Sequence, residues 1–277
     1  MKRKINIDIK RFVETISGAA LTDGLVPENS WPEFAQERGG KQMIVVAAAP
    51  RTGSTFLANT LSQLTGFKYF RLCTAYSTNE HDLYLPALCL MNRYGCVSQL
   101  HMKGSFHNAA LLKAFGIRPL ILVRNIEDIA VSLARDLRIK EEAVDYGTGR
   151  MGYSFLWQDL CTKELDDEGL LDFVIDLAIP WYVNFYVSWY RLIERNDVEA
   201  LWITYESLMQ DKESTLQEAL GFLGLDSKME ISKDLLERRY ATFGGGGNEA
   251  ALNSAQKQRI RQRFSYYSDV DFSRYGL

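Results

Sequence analysis

Residues able to do chemistry concentrate in a few short stretches, the first being Pro50-Arg51-Thr52-Gly53-Ser54-Thr55-Phe56. It follows a continuous apolar run, Met43 to Ala49, and runs into a pattern in which Phe56, Leu57, Thr60, Leu61 and Leu64 recur at helical spacing until Gly66. A loop between a buried strand and a helix start presents unpaired backbone N–H groups and the positive end of the helix dipole, so it suits an anion. Gly53 lets the backbone come close, and the hydroxyls of Thr52, Ser54 and Thr55 add hydrogen bonds. The triphosphate-binding pattern G-x-x-x-x-G-K-[ST] fits poorly, because it puts Ala48 at the first glycine and Ser54 at the lysine. The cation here is Arg51, placed ahead of the glycine.

The second stretch is Leu120-Ile121-Leu122-Val123-Arg124, with Ser132 two helical turns further on. An arginine at a strand end and a serine on the following helix can converge on one dianionic phosphate through charge-assisted hydrogen bonds. Taken singly, Arg124 also fits a surface ion pair and Ser132 a helix-face hydroxyl. His101 stands directly after a third apolar segment, where an imidazole can act as a general base. His107 falls in an expected helix and His81 in a polar loop, and either also fits a plain surface position. Tyr205 ends a fourth segment, where it reads equally as a ligand contact or as a core tyrosine with its hydroxyl at the edge. Arg238-Arg239 followed by Gly244-Gly245-Gly246-Gly247 is a late basic, glycine-rich stretch.

These motifs together resemble the sulfotransferases that use 3'-phosphoadenosine 5'-phosphosulfate (PAPS) and release 3'-phosphoadenosine 5'-phosphate (PAP). Pro50 to Phe56 is similar to their 5'-phosphosulfate loop, and Leu120 to Ser132 to their 3'-phosphate segment. The resemblance implies that Arg51 contacts the bridging oxygen, that Phe56 lies near the adenine, that Arg124 and Ser132 hold the 3'-phosphate and that Tyr205 touches the adenosine. It further implies His101 as the base, although the family's lysine-threonine-histidine segment reads Gln99-Leu100-His101 here. Arg238, Arg239, Gly244 and Gly245 stand where the family closes a loop over the 3'-phosphate. The expected catalytic set is thus His101, Arg51 and Ser132, and the cofactor set Arg51, Thr52, Gly53, Ser54, Thr55, Phe56, Arg124, Ser132, Tyr205, Arg238, Arg239, Gly244 and Gly245. No metal is expected. The acceptor is expected to be a hydroxyl or amine of a small molecule, such as a polar or cationic alkaloid of the saxitoxin kind. Acidic residues at Glu80, Asp82, Asp159, Asp166, Asp167 and Glu168 are candidates to attract a cation. A P-loop small-molecule kinase and a non-catalytic nucleotide-binding protein are the alternative readings.

Positioning these residues requires strands that end beside one another. Apolar segments at 69–73, 96–100, 119–124 and 200–205, separated by helical patterns, predict an α/β fold in which helices flank one central parallel sheet, in a single P-loop-like domain. Residues 1–40, rich in turn signals, are expected to form an arm packed on the core, with the catalytic domain spanning 41–277. The chain has 277 residues, 47% of them hydrophobic, and a net charge of -3. That balance disfavours a nucleic-acid partner. The apolar stretch from Leu177 to Ile193 is broken by Pro180, Asn184, Ser188 and Arg191, so it reads as a buried helix and no membrane partner is expected. Without an apolar leader run, a cytoplasmic location is expected. The four cysteines lack metal-site spacing and read as reduced thiols.

Overall fold

The apolar run before the loop is β1 (Met43–Ala48), all of it buried, in a computed structural model that describes residues 42–73, 80–143, 164–238 and 251–277. The arm expected at 1–40 lies outside the described residues. β2 (Cys96–Leu100), β3 (Leu120–Val123) and β4 (Leu201–Thr204) join β1 in a parallel sheet of order β2-β1-β3-β4. Val46 pairs with Gln99 on one side and with Leu120 on the other. The helices are α1 (Ser54–Thr65), α2 (Leu85–Met91), α3 (Phe106–Ala114), α4 (Ile126–Ala143), α5 (Asp167–Phe173), α6 (Ile179–Glu194), α7 (Tyr205–Gln210), α8 (Lys212–Phe222), α9 (Lys233–Glu237) and α10 (Ser254–Phe264).

Strand side chains alternate between faces, so β1 and β3 feed two cores. Val45, Ala47, Ile121 and Val123 enter one with residues of α2, α3, α4, α6 and α10. Ile44, Val46, Ala48, Leu120 and Leu122 enter the other, against Leu57 and Leu61 of α1 and Leu216 and Leu220 of α8. Sequence runs that are apolar throughout, rather than alternating, are what a sheet covered on both faces requires.

The segment expected as a strand at 69–73 makes only one bridge, Tyr69 to Val97. Beyond Phe70, which still donates to the Val97 carbonyl, the amide of Leu72 goes to the Ser98 hydroxyl instead of a backbone carbonyl. A side chain has thus intercepted the ladder, and the segment leaves the sheet.

The aromatic stretch forms α6, preceded by a π-helical turn at Val174–Ala178. Pro180 explains the widening: it has no N–H to give, and its ring crowds the carbonyl four residues back, so the turn opens instead of breaking. Trp181, Tyr182, Phe185, Tyr186 and Trp189 lie on the face turned to the core, at spacings of three and four. The run Asp167–Glu194 is long and apolar enough to cross a membrane by composition, but 61% of its most apolar window is buried inside the protein. Each fully buried large side chain on this face contributes roughly 1.5–3 kcal/mol of transfer free energy.

The sheet order also locates a crevice. The connection after β1 leads to β2 on one side, whereas that after β3 leads to β4 on the other. Strand ends whose connections diverge leave a gap at their carboxyl edge, where open α/β sheets take ligands. Arg51 and Arg124 follow those two strands.

Candidate active site

Each of the four strands delivers one candidate residue at its carboxyl end. Arg51 comes just after β1, His101 after β2, Arg124 after β3 and Tyr205 after β4. The structure therefore brings the two strongest motifs and the candidate base to one edge.

Between β1 and α1 the chain turns through two positive φ angles, 67° at Arg51 and 84° at Gly53. A left-handed conformation costs a non-glycine residue about 1–2 kcal/mol. Side-chain bonds offset that cost at Arg51: its Nε donates to Ser132 Oγ at 3.2 Å, and its Nη1 pairs with Asp136 Oδ1 at 2.9 Å. Asp136 is buried and lies one turn beyond Ser132 on α4, so the pair locks the loop to that helix. The wholly buried Thr52 closes the turn by donating from Oγ1 to the Ala49 carbonyl at 2.7 Å.

No side chain caps α1. The amides of Gly53, Ser54 and Thr55 have no partner among the described residues, and they face out at the positive end of the helix dipole. A β-carbon built on Gly53 would stand 3.0 Å from the Tyr205 ring. Tyr205 therefore borders the loop, and Gly53 is fixed by both its φ and its neighbour. The Gly53→Ala variant is expected to lose about 1–2 kcal/mol of stability and, with the cradle displaced, roughly tenfold in nucleotide affinity. Chemical denaturation and calorimetry read the two effects separately.

Arg124 stacks its guanidinium 4.4 Å from the Tyr205 ring centre and donates from Nη1 to the Arg51 carbonyl at 3.3 Å. Its Nε is buried without a hydrogen-bond partner, and Asp128 approaches Nη2 only to 3.8 Å. A buried guanidinium nitrogen without an acceptor is costly, so this group is suited to take an anionic oxygen. Asn125 caps α4 by accepting from the amides of Glu127 and Asp128, while its own amide donates to Glu206 of α7. Phe56 carries the Lys212 ammonium 5.1 Å above its ring.

His101 places Nδ1 2.7 Å from the Ala48 carbonyl. A carbonyl can only accept, so Nδ1 carries the proton and Nε2 is the basic nitrogen. The His101 amide donates to Nδ1 of His81, which is buried, not at the surface, and stacks on the His101 ring. The loop beyond is anchored to α6 by Trp189 donating to the Met102 carbonyl and by Gly104 donating to Ser188. His107 reaches the Leu83 carbonyl and lies in α3.

The last residues of the chain brace the loop. Tyr275 donates to the Tyr182 carbonyl, and the Tyr182 hydroxyl donates to the Pro50 carbonyl, each at 3.3 Å. Burial pushes the Tyr182 phenol well up from its ordinary pKa, which keeps it a donor. Gly276 lies so close to Asn125 that a β-carbon there would stand 2.2 Å from its side-chain nitrogen. The C-terminal segment thus supports the turns that follow β1 and β3.

Arg238 does not reach the loop. It donates to Gln63, nine residues into α1 from Ser54 and roughly 13 Å along its axis. Arg239, Gly244 and Gly245 lie outside the described residues. Sequence reasoning missed Asp136, Gln99 and Tyr182. The first had a readable signal, since it shares a helix face with Ser132 at i+4. The carboxylates expected to draw a cation are engaged in structure: Glu80 pairs with Lys103, Asp82 accepts from Asn108, Asp166 caps α5, Asp167 meets Arg138 and Glu168 accepts from Asn253. Asp159 lies outside the described residues. Among the described residues no three His, Cys, Asp or Glu side chains cluster as a metal site needs.

A family model described as the sulfotransferase domain matches residues 41–243. The fold is similar to that of mouse sulfotransferase SULT7A1, solved in complex with PAP, at a TM-score of 0.54 and 14% identity, covering 90% of this chain and 93% of that one. A sulfotransferase from Alicyclobacillus acidocaldarius aligns at 16% identity and a TM-score of 0.44, covering 85% and 99%. No curated protein matches at a significant level.

Proposed function

The chain belongs to the sulfotransferase domain family, and from that premise we propose that it moves a sulfuryl group from PAPS to a hydroxyl or amine of a small-molecule acceptor. The observation that carries the donor assignment is the junction of two anion sites, with the Arg124 guanidinium bonded to the backbone of the loop that opens α1. One nucleotide with phosphates at both ends of its ribose fits such a pair. The amides of Gly53, Ser54 and Thr55 would hold the 5'-phosphosulfate with the hydroxyls of Ser54 and Thr55. Arg124 and Ser132 would hold the 3'-phosphate, and Tyr205 and Phe56 would flank the base.

When bound, the donor supplies a sulfuryl group on a phosphate leaving group. The protein then has to align acceptor and sulfur and to neutralise charge on the departing oxygen. His101 takes the acceptor's proton at Nε2, the nitrogen left basic by the Nδ1–H bond to Ala48. Arg51 offers its Nη2 group, which has no partner among the described residues, to the bridging oxygen. Its charge is shared with Asp136, so it acts as a held donor rather than a free cation.

We further place the protein in the cytoplasm, the compartment that the buried thiols of Cys89 and Cys96 suit. The test is transfer of label from sulfur-35 PAPS across a panel of hydroxyl, amine and guanidinium acceptors. Labelled product from at least one, with stoichiometric release of PAP, is the expected result. Tight PAP binding with no transfer to any of them would instead mark a non-catalytic binder.

A further inference from the structure

Three hydrogen bonds run in series behind the candidate base. The Tyr69 hydroxyl donates to Gln99 Oε1 at 3.2 Å, Gln99 Nε2 lies 3.2 Å from His101 Nε2, and His101 Nδ1 lies 2.7 Å from the Ala48 carbonyl. Because Nδ1 holds the ring proton, the Gln99 amide must be the donor to Nε2. Gln99 is buried, which makes both ends of its amide costly to leave unpaired. Its position follows from sequence, since residues two apart on extended backbone share a face.

A side-chain amide can reverse its role by a half-turn that exchanges Oε1 and Nε2 with little change of shape. A phenol can follow, because it both donates and accepts. From this chain we infer that Gln99 is a positioning residue serving both protonation states of His101. While the ring is neutral, the amide N–H holds the Nε2 lone pair and, with Ala48, fixes the tautomer. An arriving acceptor displaces the amide. For a hydroxyl acceptor, its O–H bond breaks as the Nε2–H bond forms, its oxygen bonds to sulfur, and the electron pair of the bridging S–O bond leaves with the phosphate; an amine loses an N–H proton in the same way. Once the product departs, the turned amide accepts from Nε2–H through Oε1 and donates through Nε2 to the Tyr69 oxygen. The proton is then passed to water and the amide returns. A lysine at position 99 offers donors only and repels an imidazolium, so it serves neither the second state nor this return.

Among the described residues, titratable groups near the ring include His81, stacked at 5.6 Å, and Tyr69 behind Gln99, and two residues further along the chain Lys103 pairs with Glu80. The inference rests on the reading of His101 as base, and its test separates the two. Nitrogen-15 spectra of the His101 ring in the full chain read tautomer and titration without turnover, and kcat against pH reads the reaction. Wild-type protein is expected to show the Nδ1–H tautomer. Gln99→Glu is expected to raise the His101 titration midpoint and the acid limb of kcat together by about 1–2 pH units, because a carboxylate favours the cation, with kcat recovering above the limb. Gln99→Leu is expected to lower kcat about tenfold at every pH with PAP affinity unchanged, and Tyr69→Phe to lower it two- to threefold. An unmoved midpoint in Gln99→Glu, an Nε2–H tautomer in the wild type, or full kcat in Gln99→Leu would each overturn the inference. Loss of PAP affinity in Gln99→Leu would reveal misfolding, and the glutamate spectra then decide alone. Normal turnover in His101→Ala would instead remove the base assignment, whatever the spectra show.

Discussion

His101→Ala is expected to lower turnover by about 100- to 10,000-fold, while PAP binds within about twofold of the wild-type affinity. The size follows from removing the proposed general base, whose basic nitrogen is already oriented: with the Nδ1–H bond to Ala48, no tautomer change would precede proton transfer. The separation of effects follows from place. His101 leaves β2, next to β1 but on the side away from β3, whereas Arg124 and Ser132, the residues proposed to hold the 3'-phosphate, come from β3 and α4. Pre-steady-state kinetics with saturating PAPS, beside calorimetry with PAP, measure the two quantities. A variant with near-normal turnover removes His101 from the chemistry, and one that loses both turnover and PAP affinity makes the ring a structural element.

Arg124→Ala is expected to produce the opposite pattern. Its side chain stacks on Tyr205 and donates to the Arg51 carbonyl, and it keeps a buried Nε without an acceptor. Hydrogen bonds from charged groups contribute about 1.5–3 kcal/mol each, so the loss of one predicts roughly a 10- to 150-fold rise in the PAP dissociation constant. The KM for PAPS rises in step, and kcat at saturation falls much less, because the phosphate concerned does not react. Arg124→Lys is expected to recover only part of the affinity, since an ammonium keeps the charge but loses the planar fork and the stacking. Equal losses in kcat and KM would instead place Arg124 against the reacting atoms.

The parts of this site that were legible in the sequence are those set within one strand–loop–helix unit. Met43 to Gly66 announces strand, loop and helix through an apolar run, a glycine and helical spacing. Leu120 to Ser132 does the same for the strand and helix that carry Arg124 and Ser132. Those interactions are close in the chain, so their geometry is fixed by secondary structure alone. What remained hidden depends on packing between distant segments. Gln99 reads as an ordinary strand residue until Tyr69 is brought beside it, and Tyr182 reads as one more aromatic of a core helix until Pro50 lies over its hydroxyl. Asp136 reads as a solvated helix carboxylate until the left-handed turn at Arg51 sends the guanidinium across to it.

Two expectations were altered for equally physical reasons. The strand at 69–73 had the right composition, but composition does not say that the Ser98 hydroxyl will take the amide of Leu72. Arg238 was placed at the phosphate by its neighbours in sequence, yet α9 ends over the far part of α1, where Gln63 accepts from it. Of the carboxylates named as candidates to attract a cation, Asp166 caps α5, Glu80 pairs with Lys103, Asp167 meets Arg138 and Asp82 accepts from Asn108.

The central claim, that the two anion contacts read one nucleotide phosphorylated at both its 3' and 5' positions, is tested most directly by calorimetry with PAP and with adenosine 5'-monophosphate on wild-type and Arg124→Ala protein. The geometry predicts that the wild type binds PAP at least tenfold more tightly than the monophosphate and that the variant loses most of that difference. Equal wild-type affinity for the two nucleotides, or a preference for PAP that survives the loss of Arg124, would contradict it.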